Sequence, residues 1–153
     1  MDDKLHSFIE RFTSQIPFEP DMVIKEQGAY FEVPERIRDL VARVRERPSN
    51  QGLFLGREKD GIFRAGTALL ERIAPITNRK VVLNSKASWL FVCGRDVFEK
   101  NILPQSTDAT GLVLVLDEDE EVLGLAKADK KKGVLTYTNI TDIGQRLRRE
   151  WKK

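Results

Sequence analysis

The sequence predicts an α+β chain in two parts, a mixed antiparallel sheet with helices followed by a small closed or nearly closed β-barrel. Up to Pro75, helical apolar spacing alternates with tight-turn dipeptides. From Val81 onward the texture changes to short β-rich segments separated by turn residues. The composition, 41% hydrophobic and 33% charged over 153 residues, is apolar enough for one ordinary core or two small ones. A boundary near Thr77 then divides the chain into 1–77 and 78–153.

In the first part, Leu5, Phe8, Ile9 and Phe12 recur at helical spacing behind an acidic start that suits the positive end of a helix dipole, which predicts a helix over 2–14. Met22 to Lys25 and Tyr30 to Val33 read as short strands about a turn at Gln27-Gly28. Pro34 opens a second helix where its missing amide donor costs nothing. Ile37, Leu40, Val41 and Val44 are its inward stripe, and Pro48 ends it. Leu53–Leu55 and Ile62–Arg64 flank Asp60-Gly61, a dipeptide suited to the left-handed angles of a tight hairpin. A helix over Thr67–Ile73 follows, with Leu69, Leu70 and Ile73 inward and Pro75 stopping it.

In the second part, Val81–Leu83 is a strand and Lys86–Val92 a short helix, with Gly94 placed to take a left-handed cap. Gly111–Leu116 and Val122–Ala126 are strands joined by the acidic turn Asp117–Glu121, and Val134–Ile140 alternates as another; all are expected to pair antiparallel. Asp142 is placed to cap a final helix, with Gln145 three residues on as its capping-box partner. Ile143, Leu147 and Trp151, spaced by four, form one apolar seam expected to pack on the barrel, which makes Trp151 a structural residue. Arg146, Arg149 and Lys153 fall on one flank of that seam, and Arg148 and Lys152 on the other.

The formal net charge is +2, but the charge is unevenly placed. From Lys127 to Lys153, nine basic residues stand against Asp129, Asp142 and Glu150, a net +6 that leaves −4 for the rest. Five consecutive acids, Asp117 to Glu121, form a block of their own. Segregation by sign is what a surface that steers a polyanion requires. Lys130-Lys131-Lys132 is equally readable as a solvated turn. The arginines of the second helix are interleaved with Glu35, Asp39 and Glu46 and read as a solvated face. The final helix differs, with five cations over eight residues against Glu150 alone.

No stretch approaches the roughly 20 apolar residues of a spanning helix, and Met1-Asp2-Asp3 does not begin a signal region. A cytoplasmic protein without a membrane partner is expected. The sole cysteine, Cys93, cannot form an internal disulfide and reads as a small core hydrophobe; the sole histidine, His6, reads as an exposed or edge residue. No nucleophile and base can be paired from these. The residues of a zinc site, a P-loop or a dinucleotide turn are missing, so no enzyme, metal or cofactor is expected.

The segment Trp89-Leu90-Phe91-Val92-Cys93-Gly94, followed by Arg95-Asp96-Val97, resembles the helix-to-strand junction of PUA domains. Gly111–Val115, Val122–Ala126, Thr141-Asp142-Ile143-Gly144 and Arg148-Arg149-Glu150 resemble one subfamily, the Nip-seven group of ribosome-biogenesis proteins. The similarity extends upstream through Leu55-Gly56, Phe63-Arg64, Thr67-Ala68-Leu69 and Ala74-Pro75, covering about residues 50–150. The hairpin turn departs from the pattern, being short and carrying Arg57 and Lys59 beside Glu58 and Asp60.

The resemblance implies an N-terminal α/β domain before a PUA barrel, in an RNA-binding factor of large-subunit assembly and pre-rRNA processing. It also implies uridine-rich or AU-rich RNA as ligand, ribosome-assembly proteins or the exosome as partners, and RNA contacts at Arg148, Arg149 and Lys152. The short form points to an archaeal member, and a monomer is expected. With the cations read from charge placement, the candidate RNA-binding residues are Lys127, Lys130, Lys131, Lys132, Arg146, Arg148, Arg149, Lys152 and Lys153. Two other classes fit the same features: an RNA-delivery subunit of a modifying enzyme, and a protein-binding adaptor.

Overall fold

The computed structural model describes residues 3–43, 52–107 and 110–151, and resolves into two compact units, Met1–Ile76 and Thr77–Lys153. In the first, Asp3 caps helix α1 (Lys4–Glu10), its carboxylate accepting from the His6 amide at 2.8 Å. Leu5, Phe8, Ile9 and Phe12 are buried as their spacing requires. The helix is shorter than expected because the Phe12 and Thr13 amides both bond the Ile9 carbonyl, which ends the regular ladder.

Strands β1 (Val23–Glu26), β2 (Ala29–Glu32), β3 (Leu53–Lys59) and β4 (Ile62–Ala65) form an antiparallel sheet in sequence order. Its two tight turns fall at Gln27-Gly28 and Asp60-Gly61, all four residues at positive φ. Phe63 gathers the core, its ring 5.2 Å from Phe8 and 5.7 Å edge-on from Tyr30. Helix α3 (Thr67–Ile73) buries Leu69, Leu70 and Ile73, and Arg72 pairs with Glu32 of β2 at 2.6 Å. On β1 and β3, Lys25 pairs with Glu58 at 2.9 Å and lies over the Tyr30 ring. Hydrogen bonding to Lys25 holds the Glu58 carboxyl below its usual range.

Helix α2 (Glu35–Ala42) follows Pro34 but does not turn its expected stripe inward: Ile37 and Leu40 are exposed. Arg38 takes the inward position instead, donating to the Asp21 carbonyl with its Nε buried. The Val41 side chain, Val44 and Pro48 lie outside the described residues.

In the second unit β5 (Lys80–Val82), β7 (Gly111–Leu116), β8 (Val122–Lys131), β9 (Val134–Asp142) and β6 (Val97–Phe98) form a curled half-barrel in the order β5-β7-β8-β9-β6. The β5–β7 pair is parallel, contrary to the antiparallel expectation. The chain between those strands makes a crossover through helix α4 (Ser85–Val92) and β6, and a crossover returns a strand in the direction it left. Asn84 caps α4. The core lies under this helix, with Val81, Phe91, Val97, Val113, Ala126 and Tyr137 among its buried members.

The acidic turn is a capping device. Asp117 accepts from the Asp119 and Glu121 amides, and Glu118 accepts from the Ser85 amide at the start of α4. Cys93, expected in the core, is exposed, because it ends α4 and leads into a left-handed Gly94.

Candidate nucleic-acid interface

β8 runs five residues beyond its expected end and carries three of the predicted cations into the sheet. Ala126 and Ala128 alternate with Lys127 and Asp129, so the alanines point to the core and the charges outward, a period-2 pattern that continues the strand. Lys127 pairs in register with Thr138 of β9 on one side and Leu112 of β7 on the other. Lys130 pairs with Leu135 and Lys131 with Val134. Lys132 and Gly133 then close the hairpin at φ 53 and 79, a left-handed turn that a glycine at the second position accommodates without strain. All four lysines are exposed, and none has a side-chain hydrogen bond or ion pair to another described residue.

The final helix, α5 (Gln145–Trp151), is held differently from expectation. Asp142 ends β9 with its carboxylate only 1% exposed. It accepts from the Gly144 amide at 2.8 Å, from Asn139 Nδ2 at 3.1 Å, and from Arg148 Nη1 and Nη2 at 2.9 and 2.8 Å. This bidentate fork, with the Arg148 bond to the Val92 carbonyl, ties α5 to the end of α4. Asp142 is thus a buried anchor ahead of the helix, and Gln145 bonds to Thr141 rather than completing a capping box. Gly144 is required by close approach, since a Cβ there would lie 2.1 Å from the Val92 carbonyl oxygen.

Turning Arg148 toward the sheet rotates the apolar seam away from it. At about 100° per residue, Leu147 lies about 100° from Arg148, while Ile143 sits in the turn before the helix. Ile143 is accordingly 50% and Leu147 61% exposed, which overturns the expected packing of that seam on the barrel. The Trp151 and Arg146 side chains, and Lys152 and Lys153, lie outside the described residues.

The predicted cations therefore separate into two groups. Lys130–Lys132 stand at one end of β9 and α5 begins at the other, roughly 27 Å apart along a nine-residue strand, with Lys127 between them. On α5, Arg149 is exposed and free of described partners, while Arg148 is engaged by Asp142. That bond pushes the Arg148 guanidinium still further above its ordinary range. The exposed cations that escaped notice in the sequence include Arg95 beside α4, and Lys100 just after β6. A two-residue strand such as β6 has no period to detect, so nothing signalled that Lys100 would follow an edge strand paired with β9.

His6 forms a local pair with Glu10 at 3.1 Å. Among the described residues no three His, Cys, Asp or Glu side chains are grouped so that they could hold a metal ion, and no helix is long and apolar enough to cross a membrane.

Residues 79–151 match the family model described as the UPF0113 PUA domain. No curated protein matches the chain. The matched span contains the whole half-barrel, the β8–β9 lysines and α5, so this second part of the chain is similar to a PUA domain. Such a domain points to RNA binding rather than catalysis.

Proposed function

We propose that this chain is a non-catalytic RNA-binding factor of ribosome biogenesis, an archaeal-type member of the Nip-seven group that acts in large-subunit assembly and pre-rRNA processing. It binds uridine-rich or AU-rich single-stranded RNA as a cytoplasmic monomer, and ribosome-assembly proteins or the exosome are its protein partners. The observation that carries the reading is the PUA-family match over the residues that hold the exposed cations of β8, its turn and α5. Lys127, Lys130, Lys131, Lys132 and Arg149 supply phosphate contacts, and Arg148 keeps α5 in place. A line of lysines and arginines along a strand suits a flexible polyanion.

A protein-binding adaptor is the second reading, favoured by the exposed Ile140, Ile143 and Leu147 at the end of β9 and on α5. Electrophoretic titration with oligo-uridine and with duplex RNA separates the two. Oligo-uridine should bind more tightly than duplex, with an affinity that falls steeply as salt rises. Absence of binding to either at low salt would leave the adaptor as the better reading.

A further inference from the structure

The outer face of the half-barrel carries a hollow beside the lysine turn. Alternation along β6 sends Val97 into the core and Phe98 outward, 44% exposed. Phe98 pairs in register with Thr136 of β9, and two residues earlier on the same face Val134 is 49% exposed. With Glu99 and Lys100 these two line an open, chiefly apolar hollow of about 640 Å³.

The rim of this hollow is charged. Across the ladder Val134 faces Lys131, Lys132 follows in the turn, and Lys100 stands on the β6 side. Glu99 and Asp129, the latter paired with Thr136, are the carboxylates on this face, so the lysines outnumber them. Phe98 pairs in register with the buried Thr136, a neighbour that does not by itself call for an aromatic ring. An accessible aromatic face between lysines is the pairing that single-strand binders use, with a base stacked on the ring and phosphates held at the sides.

We propose that this hollow is a nucleobase subsite: one base of a single-stranded RNA stacks on Phe98 against Val134, and Lys100 and Lys131 hold the flanking phosphates. The subsite rests on the RNA-binding reading given above and extends it from phosphate contact to base contact.

The test uses the full chain and its Phe98→Leu and Phe98→Trp variants, each titrated with a short oligo-uridine and with inorganic polyphosphate, which carries charge and no bases. Thermal melting is followed for each. Phe98→Leu should bind oligo-uridine roughly 5- to 150-fold more weakly, the range of one lost base–aromatic stack, with its salt slope and polyphosphate affinity unchanged. Phe98→Trp should restore oligo-uridine affinity. If Phe98→Leu binds oligo-uridine as the parent does, the subsite is overturned while the RNA-binding reading stands. Equal losses of oligo-uridine and polyphosphate, or a Phe98→Trp variant no better than Phe98→Leu, would also overturn it. If the parent chain binds no oligo-uridine at all, the RNA-binding reading itself fails and takes the subsite with it.

Discussion

The lysine turn of β8–β9 and the basic helix α5 look alike in charge and differ in what the fold makes of that charge. Along β8 and its turn, four exposed lysines have no described side-chain partner. On the helix, Arg148 is bound by the buried Asp142 and by the Val92 carbonyl, and only Arg149 of the described arginines is left outward. Cation density in sequence therefore counts Arg148, which the fold engages, alongside lysines that it leaves open. A guanidinium fork can satisfy a buried carboxylate with two parallel bonds, whereas an ammonium at a hairpin tip has nothing to pair with but solvent or ligand.

The sharpest way to break this contrast is Arg148→Ala. Removing one partner of a buried pair typically costs about 3 to 5 kcal/mol; water reaching the outer side of Arg148 reduces this to about 2 to 3 kcal/mol. The melting temperature of the second unit should fall by about 10 to 20 °C. A variant that melts with the parent would show that α5 is held by something other than this fork.

Lys130, Lys131 and Lys132 replaced together by Ala should leave melting unchanged. The same triple variant should flatten the dependence of log affinity on log salt by about 2 units on single-stranded RNA, at roughly 0.7 per lost contact. Arg149→Ala should flatten it by only about 0.7, also without loss of stability, in contrast to its neighbour Arg148. Were Arg149→Ala to weaken binding more than the triple lysine variant, the helix would be the principal contact after all and the ranking of the two regions would reverse.

The first unit supplies the smallest effect and a control for ion pairs outside the candidate interface. Lys25 bonding holds the Glu58 carboxyl below its ordinary 4.5 in the folded chain, so the folded state binds fewer protons there than the unfolded one. The stabilisation is present above about pH 4.5 and is lost as pH falls through the lower folded value. Melting curves of the parent and Glu58→Gln should differ at neutral pH and converge in acid. A difference that persists unchanged at low pH would mean that Glu58 acts through packing rather than charge.

Both hairpins of the first sheet and the helices around Leu69 and Phe91 were legible in the sequence, since each depends on neighbours two to four residues apart. The extension of β8 to Lys131 was written in the alternation of Ala126 and Ala128 with Lys127 and Asp129, yet lysine and aspartate lower strand propensity, and the reading stopped short. The candidate interface was legible only as a list of cations.

What the sequence determined by itself was the α+β class, the order of its helices and of its strands other than β6, the segregation of charge toward Lys127–Lys153 and the resemblance of residues 89–97 to a PUA junction. What only the tertiary structure decided was which side of α5 faces the sheet, that β5 and β7 run parallel, and that Phe98 stands beside Val134 and the lysine turn. The seam Ile143–Leu147–Trp151 and the fork of Arg148 are both compatible with a helix at 145–151. The choice between them rests on Asp142, whose burial makes an unpaired carboxylate far more costly than an exposed leucine. Periodicity reports which residues share a face; it takes the packed chain to show which face meets a buried charge.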